Sequence, residues 1–175
     1  MQNQKTIRAV LAVGRHPLDP GRSCEVAELV RAKPRKMVQL IECLWDEDPG
    51  IANRAADALE RATYHRPELA QAWKKELIGL MAEAKQNKLR WNLALLVPRL
   101  QLEVREARRA AEVLRSYLDD QNSLVQSGSI VKTAAMHGLA TLTRHDPKLI
   151  PEVLDKQRVR MPQQAHASMY ADPKA

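Results

Sequence analysis

Apolar residues recur along this chain at helical spacing, and short polar clusters with proline separate one run from the next. Over 68–84 the stripe is Leu69, Trp73, Leu77, Leu80, Met81 and Ala84; over 103–118 it is Val104, Ala107, Ala111, Leu114 and Leu118. Pro34, Pro49, Pro67 and Pro147 stand where helices begin, because an N–H missing from the first turn costs no intrahelical bond. Asp48 and Asp146 precede two of them and are suited to accept from the orphan amides of the helix start. The pattern predicts helices over 23–32, 34–45, 49–65, 68–84, 88–100, 103–118, 129–145 and 147–157. Pro98 falls inside the 88–100 stripe and predicts a kink or an early end there. Connections as short as Glu47-Asp48 and Lys85-Gln86-Asn87 make successive helices antiparallel neighbours. Residues 119–128 read either as a loop or as a Gly128-bent extension of the next helix. Residues 1–22 and 158–175 carry no sustained stripe, so the first is expected to be irregular and the second a tail or short helix.

The stripes repeat. IANRAADALERATYHRPEL at 51–69 returns as VKTAAMHGLATLTRHDPKL from Val131, and LRWNLALLVPRLQLEVREA from Leu89 is a looser copy. Setting Ile51 over Leu89 and Val131 aligns Ala55, Leu93 and Ala135, then Leu59, Val97 and Leu139, then Ala62, Leu100 and Leu142. A period near 40 with shared apolar positions at helical spacing predicts an all-α fold, an α-solenoid in which each unit buries its face against the next.

Composition narrows the core and leaves the partner open. The 175 residues contain no Phe and 3% aromatics, so the interior is built of Leu, Ile, Val, Met and Ala, which let helices approach closely. The net charge of +7 raises the question of an anionic partner. Basic against acidic residues count 8 to 7 over 1–48, 6 to 5 over 49–86, 7 to 5 over 87–122 and 7 to 4 over 123–175, so no segment is a basic arm. IRAVLAV near the start is too short for a span of roughly 20 residues and lacks a cleavage site. Two Cys without metal or disulfide spacing point to reduced thiols, with Cys43 buried. The expectation is a cytoplasmic protein with no membrane partner.

LIECLWDEDPGIANRAADALERA resembles a HEAT repeat: an apolar first helix, an acidic turn with Asp-Pro, and a second helix carrying Ala-Ala-x-Ala-Leu. Units over 34–65, 68–100 and 103–145, with a half unit from Pro147, cover most of the chain. Lys88-Leu89 stands in the second where the others have an Asp-Pro turn or an insertion. RATYHRPEL, RWNLALLVPRL, SYLDD and SIVKTAAMHGLATL are similar to a group of small bacterial HEAT-like proteins without established activity. The resemblance implies a right-handed α-α superhelix of about three and a half helix pairs over 23–157. It also implies an armadillo-like scaffold whose second helices, 49–65, 88–100 and 129–145, line a concave face. The solvent-facing positions expected there are Asn53, Trp91 and Thr133, then Asp57, Leu95 and His137, then Arg61, Arg99 and Thr141. These are the candidate partner-binding residues, for an unidentified protein or peptide.

No catalytic, cofactor or metal site is expected. Asp57 and His137 fall in register, yet they are two helix spacings of ~8–10 Å apart, far beyond a hydrogen bond of about 3 Å. No two His share ligand spacing, no phosphate-cradling glycine motif occurs, and no Gly-flanked serine elbow is present. His65 and His145 end helices, where the dipole favours an imidazolium. Trp45 and Trp73 read as core; Trp91, between Arg90 and Asn92, offers a stacking face. Arg105, Arg108, Arg109 and Arg115 are interleaved with Glu103, Glu106 and Glu112, so their charge is expected to be met within the helix. The alternative function is a nucleic-acid-binding module related in fold to the HEAT-like alkylpurine DNA glycosylases, with Trp91, Arg54, Arg61, Arg90 and Arg99 on the DNA. A monomer or weak homodimer is expected, since weak terminal caps leave solenoid ends open.

Overall fold

The computed structural model describes residues 6–120 and 126–151, with side chains from residue 130 onward in the second stretch. Among the described residues the chain is all-α: eight α-helices and no strand. They are α1 (Ile7–Leu11), α2 (Ser23–Ala32), α3 (Met37–Glu42), α4 (Pro49–Thr63), α5 (Lys74–Glu83), α6 (Asn87–Leu96), α7 (Val104–Asp119) and α8 (Gln126–Leu142). Short 3₁₀ turns at Pro34–Lys36, Cys43–Trp45, Pro67–Trp73, Val97–Arg99 and Pro147–Leu149 extend or join them.

Local chemistry sets the boundaries. Asp48 accepts from the Gly50 amide at 2.7 Å and Asp146 from the Lys148 amide at 3.1 Å, each just ahead of a proline. Glu103 and Glu106 form a reciprocal capping box at the start of α7, which satisfies two orphan amides at once. Pro98 stops α6 at Leu96, and the next residues tighten into a 3₁₀ turn, as a residue without an N–H requires. α8 begins at Gln126, ahead of Gly128, so the extended-helix alternative for that segment is the one found; residues 121–125 lie outside the described residues.

Packing runs in two series. α2 lies against α4, α4 against α6, and α6 against α8; α1 touches α3, and α5 touches α7. Every aligned apolar position of the repeat is buried: Ile51, Leu89 and Val131; Ala55, Leu93 and Ala135; Leu59, Val97 and Leu139; Ala62, Leu100 and Leu142. The register read from the sequence is therefore the register of the core. α6 and α8 approach closely at Gly138, where an added Cβ would come within 2.7 Å of the Ala94 carbonyl and 2.9 Å of Leu114 Cδ1. Tyr117 crosses between layers, its hydroxyl donating to the Met81 carbonyl.

The N-terminal segment departs from expectation. IRAVL forms α1 with Ile7, Val10 and Leu11 buried, so the helical body starts before residue 23. Five residues are too few for a stripe to show as periodic, yet three of them meet α2, α3 and α4. Trp45, expected in the core, is 48% exposed, because the 3₁₀ turn after α3 rotates it off the apolar line. Among the described residues no helix is long and apolar enough to cross a membrane.

Candidate functional site

The candidate residues sit on three neighbouring helices but not in one environment. On α4, Asn53 is 3% and Asp57 5% exposed, which corrects the expectation that both face solvent. The cause is α2 together with the loop over residues 12–22, which cover this side of α4; everything from Gly50 through Leu59 is buried. Ser23 donates its hydroxyl to Asp57, and Arg61, exposed, donates to the same carboxylate at 2.9 Å. That pairing raises the Arg61 pKa. Asn53 donates to the Pro17 carbonyl at 3.4 Å, while its own Oδ1 is buried without a hydrogen-bond partner.

Arg54 is the centre of that cover. It is buried, with Nε donating to the Leu11 carbonyl and Nη1 to the His16 carbonyl at 3.4 Å. Gly14 and Gly21 have no room for a Cβ beside its guanidinium and stem, and Gly21 has φ +51°, a region open to glycine. Lys88 of α6 fastens the same loop through the Leu18 carbonyl at 3.0 Å. Burial lowers the Lys88 pKa. Asp19 holds the loop turn by accepting from the Arg15 and Gly21 amides, which pulls its pKa down to about 2.

Trp91 and Leu95 on α6, and Arg99 in the 3₁₀ turn that follows it, are each half-buried. Arg99 pairs with Glu60 at 2.9 Å and its guanidinium lies over the Tyr64 ring at 5.1 Å. Its Nε is buried and unpartnered. Arg90 faces another way, pairing with Asp120 at 2.8 Å and lying over the Tyr117 ring at 4.9 Å. On α8, Thr133 and His137 are exposed, but Thr141 is buried and donates to the His137 carbonyl at 3.0 Å. Thr141 thus departs from the solvent-facing reading because its hydroxyl turns back onto its own helix.

A cleft of about 350 Å³ opens between α2 and α4, lined by Cys24, Glu28, Arg31, Arg61, Tyr64 and His65 among others. The sequence reading missed it, since it requires α2 to lie along α4; Ser23 bonding Asp57 while 24–31 face 60–65 means the two run in the same direction. His65 meets the Tyr64 ring edge-on at 4.6 Å, and His145 reaches the Pro98 carbonyl at 3.4 Å; neither ring is seen on the carbonyls of its own helix end. Cys43 is buried, its thiol donating to the Gln39 carbonyl, and burial pushes its pKa up to about 11. Cys24 is exposed. Two ion pairs of α7 run outward, Arg108 to Asp146 at 2.7 Å and Glu106 to Lys74 at 2.6 Å, where the spacing predicts pairing within the helix. Among the described residues no group of three or more His, Cys, Asp or Glu side chains is placed to hold a metal ion. No protein-family model, curated protein or solved structure matches the chain.

Proposed function

We propose that the protein is a non-enzymatic protein-binding scaffold: a HEAT-like α-solenoid whose α4, α6 and α8 line a concave, partner-facing side. The observation that carries this reading is the graded cover over three equivalent stripes. Asn53 and Asp57 are closed over, Trp91 and Leu95 are half open, and Thr133 and His137 are open. Such a surface offers apolar contact beside polar groups without converging reactive ones. The acid that falls in register with His137 is committed to Ser23 and Arg61, which supports a structural role for it. On this reading α1 and α2 act as an extra pair that caps one end, as terminal repeats must.

The nucleic-acid alternative is weaker because its donors are engaged. Arg54 is buried on carbonyls, Arg61 pairs with Asp57, Arg90 with Asp120 and Arg99 with Glu60. A photo-crosslinking amino acid placed at position 137, and separately at exposed position 109 on α7, tests the proposal in extracts of the native host. Discrete protein adducts from 137 and none from 109 are expected. Adducts from 109 alone, or tight duplex DNA binding with a steep salt dependence, overturn it.

A further inference from the structure

The balanced charge of the whole chain hides a local bias. No Asp or Glu occurs between Glu83 and Glu103, nor between Asp120 and Asp146, so α6 and α8 carry no carboxylate of their own. The two acids of α4 are already used, Asp57 by Ser23 and Arg61 and Glu60 by Arg99. Lys88 and Arg144 have no carboxylate within ion-pair distance among the described residues; their bonds go to the Leu18 and Thr141 carbonyls. The same two helices carry the half-buried Trp91 and Leu95 on α6 and, on α8, Ile130 at 53% exposure. The exposed positions of α8, Ile130, Thr133, His137 and Ala140, follow one another at helical spacing and form a single stripe, and Arg144, also exposed, lies in the turn just beyond its end.

We propose that the α6–α8 face seats an acidic amphipathic helix of a partner protein, its apolar side on Trp91, Leu95 and Ile130 and its carboxylates toward Lys88, His137 and Arg144. The proposal rests on the scaffold reading above and names the partner's chemistry. Charge complementarity selects the sign: α6 and α8 bring cations and no carboxylate of their own, and the nearby Asp57 is already held by Ser23 and Arg61. A helix suits the place because two helices packed side by side leave a groove that takes an apolar face at i, i+3 and i+4. No strand is present among the described residues to extend by β-addition. A nucleic-acid duplex fits poorly, since the centre of the face is apolar and its uncommitted cations are few.

The test is selection from a random peptide-display library, long enough for several helical turns, on the intact protein. Enrichment of Asp and Glu with apolar residues every three to four positions is expected. A synthesised winner should bind about 10-fold or more weakly to a His137→Glu/Arg144→Glu variant, both sites being exposed, and its Glu→Gln analogue should lose affinity and ignore the reversal. Trp91→Ala, checked for retained helicity, should weaken both peptides. Neutral or basic winners that still depend on Trp91 overturn the acidic assignment and leave the scaffold reading standing. Winners indifferent to all three substitutions, no winners, or preferential binding of a DNA duplex overturn the assignment and remove the support for a partner site on this face.

Discussion

α4 and α8 carry the same apolar register and end in different surroundings. From Gly50 to Leu59, α4 is covered on every side: α6 on one side, α3 behind it, α2 and the 12–22 loop in front. α8 has α6 and α7 against it and leaves Ile130, Thr133, His137 and Ala140 exposed. Two positions that align in sequence, 57 and 137, thus become a buried, bonded carboxylate in one and an exposed imidazole in the other. A shared sequence pattern fixes which face is core; the neighbours decide what becomes of the rest.

The comparison can be broken most sharply at Arg54. Arg54→Met strands the Leu11 and His16 carbonyls and empties the space shaped by Gly14 and Gly21, and is expected to cost about 3 kcal/mol in chemical denaturation. Gly138→Val attacks the inner side of α8, where the Ala94 carbonyl leaves no space for a Cβ; a loss of ~2–3 kcal/mol is expected. Next come the equivalent positions themselves. Asp57→Ala, which leaves Ser23 buried without its acceptor, should cost ~1–2 kcal/mol, against ~0.5 kcal/mol or less for His137→Ala. Equal losses at the two sites would erase the distinction between covered and open ends.

Smaller effects sharpen it. Asp19, in the loop over α4, has a folded pKa of about 2, depressed from an unfolded value near 3.9. Its contribution is therefore present above about pH 4 and lost as pH falls toward 2. Asp19→Asn should flatten part of the acid-side decline in unfolding midpoint. Smallest of all, a thiol reagent at neutral pH should label one exposed cysteine per folded chain, Cys24, and reach Cys43 only on unfolding; rapid double labelling would mean that the α1–α3 side is open.

Most helix positions were legible because proline, Asp caps and apolar spacing are local signals, and 23–32 was read to the residue. Which faces are core was legible from the repeat, whose aligned positions are all buried. The site was less so. Nothing in the sequence of α4 says that Asn53 and Asp57 are covered, since the covering groups come from Pro17 and Ser23, more than 30 residues away. α1 escaped because five residues are shorter than the window in which a helical period shows. Trp45 escaped for a related reason: one tightened turn changes the direction of a side chain while leaving the spacing intact.

The hold of Arg54, Asn53 and Lys88 on the loop carbonyls of Leu11, His16, Pro17 and Leu18 also has a meaning in time. During synthesis every fastener is made after the loop it holds, and the last of them, on α6, comes 70 positions after the carbonyl it binds. The loop can therefore be fully fastened only once the middle of the chain has been made.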